Sequence, residues 1–264
     1  MGLKTASRIF FAATMIAIGV MGLLGKGFAP IWLPVPDGTP FRALLVLLCA
    51  LVPLGCGAGL LLKRSGPWAA FVLFAFLMIW ALVFKFPFIV RAPLVEGSYQ
   101  SFGENAVQIA GAWILYVWLA GETKGLRLGF LSGDLGLRLA RLLYSFALVA
   151  FGLSHFAYLN LTAPLIPKWL PDPVFWAYFT GGFYLAAGLS VVTGFAARLG
   201  AVGVALQITL ITILVWGPHV LAGNMSEDHW VETVVSWAIM AGAWVVAASY
   251  DEQPWFVRPL KLTS

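Results

Sequence analysis

Apolar residues run along this chain in eight long stretches, near 9–27, 41–62, 67–90, 105–121, 139–159, 174–196, 199–221 and 230–249. The short segments between them collect most of the charge. A helix needs about 20 apolar residues to cross a hydrocarbon core of roughly 30 Å, and each stretch approaches that length. The pattern predicts an all-α membrane protein with eight transmembrane helices. Pro53, Pro87 and Pro218 fall inside or near the ends of spans. Each removes a backbone hydrogen bond that neighbouring helices must make good.

Composition agrees. The chain is 61% hydrophobic and 10% charged, against about 45–50% and 25% in soluble domains, and its mean hydropathy is +0.91. A net charge of +5 would suggest nucleic acid in a soluble protein. Here the cations sort by side. Lys4, Arg8, Lys63, Arg64, Lys124, Arg127, Arg138, Arg141, Arg198, Arg258 and Lys261 fall on one side, and Lys26, Arg42, Lys85, Arg91 and Lys168 on the other. The positive-inside rule then places both termini in the cytoplasm, and topology rather than nucleic-acid binding accounts for the charge. Cys49 and Cys56 share a helix face about 10 Å apart along its axis, too far for a disulfide. They read as small buried hydrophobes.

The chain also repeats itself. Arg8-Ile9-Phe10 and Arg141-Leu142-Leu143 each open a span with a glycine eleven residues on, Gly19 and Gly152. "WLPVP" at 32–36 answers "WLPDP" at 169–173, "KFPF" at 85–88 answers "WGPH" at 216–219, and "GAW" occurs at 111–113 and 242–244. The spacing predicts two four-helix bundles, 1–121 and 139–264, joined by a basic cytoplasmic linker over 122–138. An even number of spans per half makes this a parallel repeat about an axis along the membrane normal. The first span, which could pass for a signal peptide, has an internal counterpart and is read as a true helix. Trp32 and Trp169, in the proline-stiffened loops, are expected at headgroup level.

The second half, through "GLSHFAYL", "PKWLPDPVFWAYFTGGFYLAAGL" and "GFAARLGAVG", resembles the DoxX family of four-span bacterial membrane proteins. The first half joins the resemblance only through the repeat. The resemblance implies a bacterial inner-membrane protein associated with quinone-linked oxidoreductases, since the family is named for a small subunit of an archaeal terminal quinol oxidase. Many relatives carry a glutamate in the second span where this chain has Tyr184. A carboxylate relay is therefore lost there, and a phenol of intrinsic pKa about 10 is a poor substitute near neutrality.

Four residues are candidate ligand contacts: His155, Tyr184, Glu232 and His219. His155 lies within an apolar span, where ionisable residues face the bundle interior and mark function by default. It can contact a quinone carbonyl or carry a proton, or simply bond a neighbouring helix. By the 133-residue offset its counterpart in the first half is Gly22, so the halves are chemically unequal. His219 closes the seventh span, and His229, Asp228 and Glu232 follow it. A metal set of His155, His219, His229 and Glu232 can be drawn, but its spacing is not diagnostic. Glu104 with Asn105 and Gln108, and Glu232 with Thr233 and Ser236, give each half an acidic helix start, a role the helix dipole favours. Gln207, Thr209 and Thr212 read as interhelical hydrogen bonders.

No phosphate-cradling glycine loop, nucleophile elbow or haem-ligating histidine pair is present. The expectation is a subunit or accessory of a quinone-linked oxidoreductase, with quinone as the cofactor class, membrane lipids and oxidoreductase subunits as partners, and no nucleic acid. A transporter or lipid-binding protein and a non-catalytic assembly subunit are the alternatives.

Overall fold

The computed structural model describes residues 2–122, 128–223 and 225–256. Lys124, Arg127, Arg258 and Lys261, and part of the linker, lie outside the described residues. Among the described residues there is no strand. Eight long helices order the chain: α1 (Leu3–Gly25), α2 (Arg42–Leu61), α3 (Gly66–Arg91), α4 (Glu96–Gly121), α5 (Gly133–Ala157), α6 (Pro173–Thr193), α7 (Ala197–Ala222) and α8 (Glu227–Ala248). All but α4 are long and apolar enough to cross a membrane. The chain is a multi-pass integral membrane protein.

Several helices begin before their apolar stretch. α4 starts at Glu96 and α5 at Gly133, so part of the expected linker is helix. Hydropathy reports what hydrocarbon tolerates, whereas the backbone winds through polar residues as readily as apolar ones. α4 falls short on hydropathy because it carries Glu96, Gln100, Glu104, Asn105 and Gln108. Every residue of α4 from Asn105 to Val117 is nonetheless buried. A helix enclosed on all sides by protein is under no pressure to be apolar for lipid.

The two series of helices match closely. α2, α3 and α4 begin at 42, 66 and 96, and α6, α7 and α8 at 173, 197 and 227, each 131 later. α3 and α7 each widen into a π turn, at Ala81–Lys85 and Thr212–Trp216, just before Pro87 and Pro218. The proline ring clashes with the carbonyl four residues back, and a π turn relieves the clash without breaking the helix.

Close contacts share the frame. A Cβ on Gly57 would lie 2.7 Å from the Ala12 carbonyl and 2.8 Å from the Ile16 side chain. One on Gly188 would meet the Ser145 carbonyl and the Val149 side chain at 3.3 Å. Gly19 likewise meets Ala50 and Leu54, and Gly152 meets Gly181 and Leu185. The offset is thus 133 in the first helix of each series and 131 thereafter.

Within each series neighbouring helices pack in order. Between series, α8 packs on α1, α5 on α4, and α4 on α8. The two series are therefore interlocked, with α4 packed on α8 between them. They cross at Gly111 and Gly242, where a Cβ on Gly111 would stand 3.2 Å from the Gly242 Cα.

Trp32 corrects the sequence reading. It is fully buried against Trp80 and Phe76, at ring-centroid distances of 5.2 and 5.4 Å, while Trp169 is 67% exposed. The two Trp-Leu-Pro motifs are offset by 137 rather than 131, so they occupy different places in their loops, and the first loop folds inward. Cys49 and Cys56 are buried and free, as expected.

The basic end is tied by the segment after α8. Arg141 donates from Nε to the Ser249 hydroxyl at 3.0 Å and from Nη2 to the Ser249 carbonyl, and stacks 3.8 Å over the Tyr250 ring. Arg198 bonds the Gln253 carbonyl at 2.8 Å and pairs with Asp251 at 3.2 Å, and Lys4 pairs with Glu252 at 2.5 Å. These cations fasten α1, α5 and α7 to the end of α8. Burial pushes the Tyr250 phenol from 10.0 up to about 12, against the opposing pull of Arg141. A folded-state pKa above the unfolded one favours folding fully below the unfolded value, and that contribution fades as pH rises. Stability is expected to fall between about pH 10 and pH 12, and Tyr250→Phe to flatten that fall in an alkaline unfolding series.

Candidate functional site

Lys85 ends the π turn of α3 and is 1% exposed. Its ammonium donates to the Leu33 carbonyl in the first loop and to the Ser101 hydroxyl of α4 at 3.0 Å. Glu104, one turn along α4, lies within electrostatic reach of Lys85 and also of Glu96 and Glu232. No direct ion pair joins Lys85 to these carboxyls, because the ion pairs among the described residues are Lys4–Glu252 and Arg198–Asp251. Taking an ammonium out of water costs several kcal/mol, and the fold sets two neutral acceptors and an offset carboxyl against that cost.

Further polar groups line the same helix. Asn105 donates to the Ile31 carbonyl at 3.3 Å and Gln108 to the Glu104 carbonyl at 3.3 Å. Their side-chain oxygens, and both oxygens of the Glu96 carboxyl, are buried without a protein partner. In the 131 frame Lys85 corresponds to Trp216, Ser101 to Glu232 and Asn105 to Ser236. Trp216 Nε1 donates to the Ser236 hydroxyl at 3.0 Å. The cation comes from one series only, and α8 contributes an acid to the group around Glu104. Glu104 and Glu232, which the sequence read as acidic helix starts, lie further inside α4 and α8, whose first residues are Glu96 and Glu227, and they come within electrostatic reach of each other.

The second polar group is built on α5, α6 and α7. Gly152 and Gly181 let α5 and α6 approach closely, with a Gly181 Cβ only 2.7 Å from His155 Cβ. His155 Nδ1 bonds the Phe151 carbonyl of its own helix at 2.8 Å. Its ring lies 5.6 Å from that of Tyr184, which is 3% exposed. The structure thus brings His155 and Tyr184 together. The Gln207 side chain stands beside Tyr184, and its Nε2 donates to the Thr180 carbonyl at 3.4 Å.

Gln207 and Thr180 also line a cavity of about 330 Å³ between α6 and α7, walled by Trp176, Phe179, Phe183 and Leu210. A matching cavity of about 590 Å³ lies between α2 and α3, with Leu45, Leu48 and Phe76 where Trp176, Phe179 and Gln207 stand. The cavities are equivalent in position, and only the α6–α7 cavity has an amide at this place.

His219 does not join His155 and Tyr184. It stacks on His229, with ring centroids 4.3 Å apart, while Trp216 lies 6.0 Å from His229. Among the described residues no three His, Cys, Asp or Glu side chains gather as metal ligands, so the set of His155, His219, His229 and Glu232 does not converge. Gln207 was read as an interhelical hydrogen bonder, which it is, and its cavity required the fold to be seen. Lys85 was counted as a topological cation. Its signal was present in the sequence, as a lysine on an apolar span flanked by Phe84, Phe86 and Pro87.

Compared with family models, curated proteins and solved structures, the chain has no match.

Proposed function

We propose that this chain is a DoxX-like bacterial inner-membrane protein of eight spans in two parallel repeats, with both termini in the cytoplasm. It serves as a subunit or accessory of a quinone-linked oxidoreductase. The observation that carries the reading is the α6–α7 cavity, apolar and aromatic except for Gln207 and Thr180, with Tyr184 and His155 behind the amide. Ligand sites of this kind are mostly apolar, with a few polar groups that fix orientation. In this reading Gln207 donates to a quinone carbonyl, the Thr180 carbonyl holds the amide in place, and Tyr184 stands beside it with His155 behind. His155 moves from direct contact, as the sequence suggested, to a supporting position.

Purification with native lipids tests this. Wild type is expected to retain quinone, and Gln207→Leu to retain roughly fivefold less, the worth of about one hydrogen bond. His155→Ala is expected to have a smaller effect. Negligible quinone in the wild type, or equal amounts in wild type and Gln207→Leu, would overturn the reading.

The buried Lys85, with Glu104 and Glu232 nearby, favours a second reading, a proton- or cation-coupled carrier. Flux in proteoliposomes that is lost on Glu104→Gln would support it. No flux across a broad substrate panel would count against it.

A further inference from the structure

The two series differ most where α1 meets α2 and α5 meets α6. Between α1 and α2 lies an open groove of about 820 Å³, floored by Gly22, Leu23, Leu47 and Ala50 and flanked by Lys26 and Arg42. Arg42 stacks its guanidinium 5.1 Å from the Phe28 ring centre and reaches the Pro36 carbonyl at 3.5 Å from Nη1. Both cations are exposed, no carboxylate lines the groove, and neither has an ion-pair partner among the described residues.

The corresponding place in the second series is filled. Gly22 corresponds to His155 and Ala50 to Gly181, which pack directly on one another. Leu23 and Leu47 correspond to Phe156 and Tyr178, whose rings stack at 5.4 Å. The cations are gone as well, with Leu159 in the place of Lys26 and Pro173 in that of Arg42. Open groove and paired positive charge therefore occur together in one series and are absent together from the other.

We propose that the α1–α2 groove binds one anionic phospholipid. Its phosphate lies between Lys26 and Arg42, and an acyl chain lies along the Gly22–Ala50 floor. The volume is in the range of specific small-molecule sites, and the apolar floor and cationic mouth match the two ends of such a lipid. Lys26 follows the C-terminus of α1, whose partial negative charge it offsets, and Arg42 opens α2, whose N-terminal partial positive charge favours a bound phosphate. Arg42 also keeps most of its donors free for a phosphate, which a guanidinium binds in bidentate fashion.

The test is native mass spectrometry of protein released from nanodiscs of phosphatidylglycerol or phosphatidylcholine. Wild type is expected to hold one phosphatidylglycerol in preference to phosphatidylcholine. Lys26→Gln with Arg42→Gln is expected to weaken retention about thirtyfold, at roughly a fivefold factor per cation. Lys168→Gln, at the same end but outside the groove, is expected to leave it unchanged. Gly22→His with Ala50→Gly imitates the second series, fills the groove while leaving both cations, and is expected to lose the lipid too. Equal retention of the two lipids by wild type, or unchanged phosphatidylglycerol in either double variant, would overturn the proposal.

Discussion

Replacing Lys85 with methionine is expected to destabilise the folded protein by about 3 kcal/mol, read as an earlier unfolding midpoint in a denaturing-detergent titration. Methionine fills much of the same space. It leaves the Leu33 carbonyl and the Ser101 hydroxyl without their donor, and an acceptor stranded in the interior costs about 1–3 kcal/mol. It also removes the cation nearest Glu104, within a group that includes Glu96 and Glu232. A double-mutant cycle isolates the electrostatic part of the loss. Glu104→Gln should recover part of the loss in the Lys85→Met background, with a coupling of about 1 kcal/mol or more. Stability of Lys85→Met within about 0.5 kcal/mol of wild type would show that the lysine is not anchored as described.

Leucine at Gly242 is expected to cost more than 3 kcal/mol and to loosen the junction of the two helix series. A Cβ there would stand 2.8 Å from the Val107 carbonyl oxygen and 2.9 Å from its Cγ1. The first of these is backbone of the buried centre of α4, so it cannot rotate away. Overpacking a tight core costs about 1–3 kcal/mol for a few added methylenes, and a full leucine exceeds that. Gly182 on α6 is the control, since a Cβ there would meet nothing within 4 Å. Gly182→Ala should be neutral or stabilising by up to about 1 kcal/mol, the helix-propensity gain. A Gly242→Leu protein as stable as Gly182→Leu would contradict the close crossing.

The eight apolar stretches each fell on a long helix, seven of them apolar enough to cross a membrane, and missed how far α1, α4 and α5 extend through polar residues. Hydropathy works here because lipid imposes one requirement on every exposed turn. The duplicated motifs at offsets 131 and 133 fell in the frame of the helices. The offset of 137, from the Trp-Leu-Pro loops, did not, because loops carry insertions and need keep no register. Trp32 was expected at headgroup level as an interfacial aromatic, whereas the fold packs it into the core.

The candidate site was half legible. An imidazole inside "FGLSHFAYLN" stands out in any apolar span, and its pairing with Tyr184 follows once neighbouring spans pack in order. Lys85 and Gln207 were visible as letters but not as a site. A lysine 1% exposed looks the same in sequence as one that snorkels to the interface. An amide that only bridges helices looks the same as one that also faces a cavity.

By itself the sequence determined a helical membrane protein with recurring motifs, because lipid solvation acts on each segment locally. Tertiary structure alone decided that α4 and α8 cross at Gly111 and Gly242, and that Lys85 is buried near acids of both series. It also decided that one α1–α2 groove is open while its counterpart is filled. Those features depend on which distant side chains meet, and a glycine opposite an alanine or a histidine takes its meaning from the helix it touches.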